Sequence, residues 1–236
     1  MNAIVDPIPL FNLSVLLIPV AVVTWYYARW GLGIKGVIYA LARMLLQLLI
    51  IGYFLVSIFD LDNVYIILLV LTVMVLVSSW IALRTIPQYQ KKWLLWVFIS
   101  ISCGGGVVLL LVLLLVLALK NWYEPSISIP IAGMIFANAM TAISLSSERY
   151  IMEINQNSSI NQAKKKALNT AMIPLVNSLF AVGLVTLPGL MTGQVISGIP
   201  PLIAARYQIM VMLMLFSSGG LSVIIFLHFI QNKVTK

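Results

Sequence analysis

Charge is scarce in this chain. Of 236 residues, 8% are Asp, Glu, Lys or Arg, and only six are acidic. A soluble domain carries about 25% charged and about 45–50% apolar residues, whereas 62% are hydrophobic here. That excludes a soluble globular domain. It also excludes disorder, which requires low hydrophobicity. Cysteine and histidine are nearly missing, with Cys103 and His228 alone of their kind. One cysteine excludes an intramolecular disulfide framework, and no metal-spaced Cys/His cluster can be assembled. There is no HExxH and no nucleotide-binding GxxxxGK[ST]. No polar stretch is long enough for a separate catalytic domain. The chain is therefore read as a non-enzyme that binds no cofactor of its own.

What remains is an integral membrane protein, all-α and polytopic. A span needs about 20 apolar residues, and about seven fit: 10–28, 36–59, 64–83, 93–119, 127–146, 167–187 and 207–230. The first is read as a retained span. Only Asp6 is charged before it, where a signal peptide would carry positive charge. Trp25, Tyr26, Tyr27 and Trp30 close this span, as rings do at the headgroup level. Asp60, Asp62 and Asn63 form a tight acidic turn after the second. Gly104, Gly105 and Gly106 interrupt the long fourth segment, where a kink is expected.

The lysines and arginines sort onto one side. With seven spans, Arg29, Lys35, Arg84, Lys91, Lys92, Arg149, Lys164, Lys165, Lys166, Lys233 and Lys236 share a face. Lys120 and Arg206 face the other way, with Asp6, Asp60, Asp62 and Glu124. The positive-inside rule makes the first face cytoplasmic, with the N-terminus outside and the C-terminus inside. The same rule explains the net charge of +8 without a nucleic-acid partner.

Several residues break the apolar pattern. Arg43 lies inside the second span with Gln47 one turn on. An intramembrane arginine is costly and points to a gate or interface role, although Arg43 is close enough to the cytoplasmic end to snorkel. Glu148 or a helix-end carbonyl would be its partner. Segment 188–206 is Gly/Pro-rich and reads as irregular, either an external loop or a re-entrant backbone. Backbone of the second kind is tolerated at membrane depth only inside protein or along a wet cavity. There it would offer Met191, Thr192 and Gln194 to a translocated solute. Asn138 and Asn177 are candidates for interhelical hydrogen bonds and for the same path. Segment 148–166 is the longest polar stretch, either a solvated loop or a docking surface. Cys103 reads as a small buried residue in a tight crossing, or as a soft metal ligand. Ser217-Ser-Gly-Gly220 reads as close helix packing.

These residues carry a resemblance. Leu187-Pro-Gly-Leu-Met-Thr-Gly-Gln-Val-Ile-Ser-Gly198 followed by Ala204-Ala-Arg-Tyr-Gln-Ile209 resembles the FetB-type family of ABC-transporter permeases. That family comprises iron-export membrane subunits, with plant relatives linked to aluminium tolerance. Arg43 to Tyr53, Pro130 to Met140 and Ala171 to Asn177 agree with it, so the likeness covers about residues 38–230. Ala137 stands where the family pattern has glycine. Segment 148–166 is shorter than that pattern and reads Glu153-Ile-Asn-Gln-Asn-Ser-Ser-Ile160 in place of an acidic helix and a Leu-Gly-Ala turn.

The resemblance implies a single permease domain over 1–236 in the inner or plasma membrane, exporting iron or another metal or metal complex. A homodimer would work with two copies of a separate ABC ATPase, which would hold ATP and Mg. The ATPase would dock on a coupling segment at 148–166, through Glu148, Arg149, Glu153, Lys164, Lys165 and Lys166. The metal ligands are unknown. The alternative is a stand-alone secondary transporter or channel driven by an ion gradient. That reading expects an internal repeat or an acid deep in a span, and neither is evident.

Overall fold

The computed structural model describes residues 9–59 and 63–231. Asp6, Lys233 and Lys236, and the acidic turn expected at Asp60 and Asp62, lie outside the described residues. The chain divides into two compact units, Met1–Leu61 and Asp62–Lys236.

The first unit holds α1 (Leu10–Ser14), α2 (Leu17–Arg29) and α3 (Ile34–Phe59). The first expected span is interrupted at Val15 and Leu16. There the Leu16 and Ile18 amides donate to the carbonyls three residues back, at 3.2 and 3.1 Å, which tightens the turn. The aromatic cluster ends α2 as the sequence suggests. Trp25 and Tyr26 meet at 4.8 Å, Tyr26 and Trp30 at 5.4 Å, and the Arg29 guanidinium stands 5.3 Å from the Trp25 ring.

The second unit is a bundle of α4 (Val64–Ala82), α5 (Pro87–Leu111), α6 (Pro125–Asn155), α7 (Ile160–Ala181), α8 (Gly189–Ile196) and α9 (Pro201–Ile230). Asn63 caps α4 by accepting a hydrogen bond from the Tyr65 amide at 2.9 Å, a role suited to its short side chain. Helix α4 buries Ile67, Leu71, Val75 and Ser79, one every turn. Proline opens α5, α6 and α9, where its missing N–H would have had no partner.

Small residues line the helix crossings, beside large core side chains such as Trp93, Tyr150 and Phe226. Ala132, Ala139, Ala142, Ser146 and Ser147 of α6 are buried, as are Ala163, Ala167 and Ala171 of α7 and Ser218, Gly219 and Ser222 of α9. Helix association in lipid gains from close van der Waals approach rather than from hydrophobic transfer, which favours such residues. The glycines at Gly104 to Gly106 do not interrupt the helix. Helix α5 continues past them to Leu111 and is followed by one turn of π-helix at Val112–Val116. The glycines serve contact instead. A Cβ on Gly104 would lie 2.6 Å from the Ser222 amide nitrogen and 2.8 Å from its Cα. Cys103, expected in this crossing, is exposed on the other side of α5.

Among the described residues, six helical stretches have the length and apolarity to cross a membrane: Phe11–Arg29, Ile34–Ile51, Val64–Ala82, Pro87–Val116, Pro125–Asn155 and Pro201–Ile230. The chain is a polytopic helical membrane protein. The span expected at 167–187 is shifted toward the N-terminus, because α7 starts at Ile160 and stops at Ala181. Its first turns hold Asn161, Gln162 and Lys164 to Lys166, so α7 lacks the apolarity of the other six.

Candidate functional site

Two places in the second unit gather the polar residues. The first lies where α7 ends. Gly183 turns the chain in a left-handed conformation (φ 84°) that side chains other than glycine rarely adopt. Its amide donates to the Thr186 carbonyl at 2.9 Å. Pro188 then starts α8. The stretch 188–206 expected to be irregular is thus mostly helical, with α8, a turn through Gly198 (φ 89°) and the first turns of α9. Helix α8 packs on α9. No atom approaches within 4 Å of a Cβ built on Gly189 or Gly193, so the GxxxG spacing packs against nothing within the described chain.

Two cavities flank this region. One, of about 500 Å³, is lined by residues including Asn177, Thr186, Pro188, Gln208 and Met212. The other, of about 470 Å³, is lined by residues including Met191, Ala205, Gln208, Ile209 and Met212. Gln208 belongs to both walls. It is 5% exposed, and its Oε1 is buried without a hydrogen-bond partner. Gln194 Oε1 is buried and unpartnered in the same way. Such groups are rare in native interiors and call for an explanation.

Of the expected path residues, Asn177 and Met191 reach a cavity wall, one in each. Gln194 lines neither cavity. The Thr192 hydroxyl bonds back to the Pro188 and Leu187 carbonyls at 3.2 and 3.4 Å. Asn138 braces two helices, its Nδ2 donating to the Leu215 carbonyl of α9 at 2.6 Å. Gln208 was not singled out from the sequence, although it sits inside the Ala204 to Ile209 run.

The second place is the α6–α7 hairpin. The stretch 148–166 is not a loop: α6 continues to Asn155, and α7 begins at Ile160. At 31 residues and 1.5 Å each, α6 is about 46 Å long, against a hydrocarbon core of about 30 Å. Glu153 lies in its last turn and is 1% exposed. Three groups hold its carboxylate. Arg149 approaches Oε1 at 2.6 Å, Lys166 approaches Oε2 at 2.7 Å, and the Ser158 hydroxyl donates to Oε2 at 2.8 Å. The turn is closed by Asn157 at positive φ and by Ser159, whose hydroxyl accepts from the Gln162 amide. Lys164 donates to Gln231 Oε1 at 2.9 Å, and the Tyr150 hydroxyl to the Gln231 carbonyl at 3.3 Å. These bonds tie the hairpin to the end of α9. Of the six expected docking residues, Glu148, Lys165 and Lys166 are exposed, while Glu153 points inward.

In the first unit, Arg43 has Gln47 as its neighbour. With the amide oxygen turned to the guanidinium, Gln47 accepts from Arg43 Nε at 3.1 Å and from Nη2 at 3.3 Å. His228 is exposed near the end of α9. Among the described residues, no three His, Cys, Asp or Glu side chains come together as metal ligands.

Comparison with known proteins follows the same residues. The sequence profile of an uncharacterised protein family, UPF0014, matches residues 10–235. The Escherichia coli protein named "Probable iron export permease protein FetB" is 34% identical over 236 residues, covering 94% of this chain and 89% of that protein. A UPF0014 membrane protein of Synechocystis is 34% identical over 213 residues, covering 83% and 82%. The Arabidopsis thaliana protein ALUMINUM SENSITIVE 3 is 31% identical over 211 residues, covering 81% and 75%. No solved structure matches. A profile match along nearly the whole chain, with relatives this similar over most of their length, makes this multi-pass membrane protein a member of the UPF0014 family.

Proposed function

We propose that the chain is the membrane permease subunit of an ATP-driven exporter in the inner or plasma membrane, working as a homodimer with two copies of a separate ATPase. Its cargo is iron or another metal carried as a complex. The observation that carries this reading is the α6–α7 hairpin. A helix longer than the bilayer core ends in a clamped turn, with Glu148, Lys165 and Lys166 exposed around it. Such an element can transmit a push from a soluble partner, because its two arms are fixed to each other through Glu153 and to α9 through Gln231. The likeness to the E. coli protein named as an iron export permease supports the direction and cargo class.

The mechanism follows from linkage. ATP binding closes the ATPase pair, which favours one of two conformers of the helices and so alternates access to the cavities around Gln208. Arg43 and Gln47 act at a gate or interface, Met191 and Asn177 line the path, and Gln194 acts from the same helix as Met191.

Purification of the chain from its native membranes tests the proposal. It should bring down an ATPase polypeptide whose hydrolysis rises when the chain is present. Deleting 155–159 should abolish that association. A chain that purifies alone, with flux in vesicles that follows an ion gradient and ignores ATP, would instead identify a secondary transporter or channel.

A further inference from the structure

We infer that Gln208 anchors a binding site for an uncharged solute that has a largely apolar body and carries at least one O–H or N–H donor. The inference deepens the transport reading by naming the class of molecule, and it rests on that reading for the solute's role as cargo.

The argument starts from an orphan atom. Gln208 is 5% exposed and its Oε1 has no partner. A buried acceptor left unpaired is destabilising, whereas a donor supplied by a ligand removes that penalty. The side chain stands between two cavities of about 500 and 470 Å³, each within the size range of small-molecule sites. Val182 and Met212 also belong to both walls, so the Gln208 side chain forms part of the partition between the two cavities.

The rest of the lining sets the charge of the ligand. No Asp, Glu, Lys, Arg or His lines either cavity. An ionised ligand would be stripped of water there without a countercharge, which is far costlier than burying a neutral polar group. A hard bare cation prefers several oxygen ligands, carboxylates above all, and the polar side chains of the walls are only the amides of Gln208 and Asn177 and the hydroxyls of Ser178 and Thr186. Leu190, Val211, Met212 and Leu215 supply an apolar seat for the remainder. A metal would enter this site only when wrapped in a neutral complex whose outer surface presents a donor.

Three probes with one carbon skeleton test this: 1-naphthol, 1-methoxynaphthalene and 1-naphthoate. Binding to the purified full chain in detergent micelles is measured by equilibrium dialysis, with protein-free micelles as the blank. 1-Naphthol should bind saturably and about fivefold more tightly than its methyl ether, the worth of one neutral hydrogen bond, and 1-naphthoate should bind weakest. Gln208→Leu should remove the preference for the alcohol and leave the ether's affinity unchanged. Met212→Trp, which fills the shared wall, should weaken both neutral probes together.

Equal binding of alcohol and ether to the wild-type chain would mark the cavities as lipid-filled grooves and overturn the inference. So would absence of saturable binding, tightest binding of the carboxylate, or a preference that survives Gln208→Leu. The wild-type comparison decides even if a variant fails to fold. The dialysis uses no nucleotide and no ATPase, so its failure leaves the exporter reading standing. Loss of ATPase coupling likewise leaves the site standing.

Discussion

Gly104 and Gly106 lie two residues apart on α5, and alanine substitution should move their stabilities in opposite directions. A Cβ on Gly104 would sit 2.6 Å from both the amide nitrogen and the Oγ of Ser222, and 2.8 Å from its Cα. Ordinary contact begins near 3.4 Å, so α5 and α9 would have to part locally by about 0.8 Å. Two of the three obstructing atoms are backbone, and no rotamer change relieves them. Overpacking of this kind costs about 1–3 kcal/mol, against a gain of at most about 1 kcal/mol from replacing a helical glycine by alanine. Gly104→Ala should therefore be less stable than wild type, by up to about 2 kcal/mol. Gly106 has nothing within 4 Å of the same position. There the propensity gain acts alone, and Gly106→Ala should match or exceed wild type by up to about 1 kcal/mol. Helical circular dichroism during titration of purified protein from mild detergent into SDS reads both. Equal midpoints for the two variants, or a Gly104→Ala protein at or above wild type, would refute the close crossing of α5 and α9.

Other outcomes follow from single contacts. Asn138→Ala removes the bond to the Leu215 carbonyl and should lower stability by about 1 kcal/mol in the same titration. Glu153→Gln loses both ion pairs at the hairpin, so amide hydrogen exchange over 155–160 should quicken several-fold, while exchange in α4 stays unchanged. Lys166→Met should reproduce part of that effect, since Arg149 still holds Glu153. In vesicles rebuilt with the ATPase, Gln194→Ala and Arg43→Ala should reduce ATP-driven flux by more than half; wild-type flux in both would remove these residues from the path and gate.

Span positions were legible because hydropathy is additive along a chain: six of the seven expected segments overlap an apolar helical stretch, the second and third matching single helices to within two residues. The sixth was not. Segment 148–166 is polar in composition, but composition does not reveal that Glu153 meets Lys166 thirteen residues away and is sealed inside. With that charge paired, the helix has no reason to end where polarity begins. The glycine triplet in α5 misled for a related reason. Glycine weakens a helix in isolation, yet here the gain from close approach to Ser222 outweighs that loss. Gln208 escaped notice because a lone polar residue in an apolar helix does not say which way it faces. Only the fold shows that it turns into the protein and finds no partner. The sequence run around 188–206, read as irregular, supplied helix α8 instead.

The glycines of α8's two connections set what can move. Where α5 meets α9, Gly104 seats against the Ser222 backbone, so neither helix can slide by one residue without collision, and the pair acts as a single strut. Helix α8 is joined at its two ends through Gly183 and Gly198, both left-handed and both with open space around them. It is therefore joined to its neighbours by two turns whose backbone favours glycine, beside a tightly seated helix pair. A change in its tilt would alter the cavity wall at Leu190 and Met191 while the α5–α9 pair keeps its geometry.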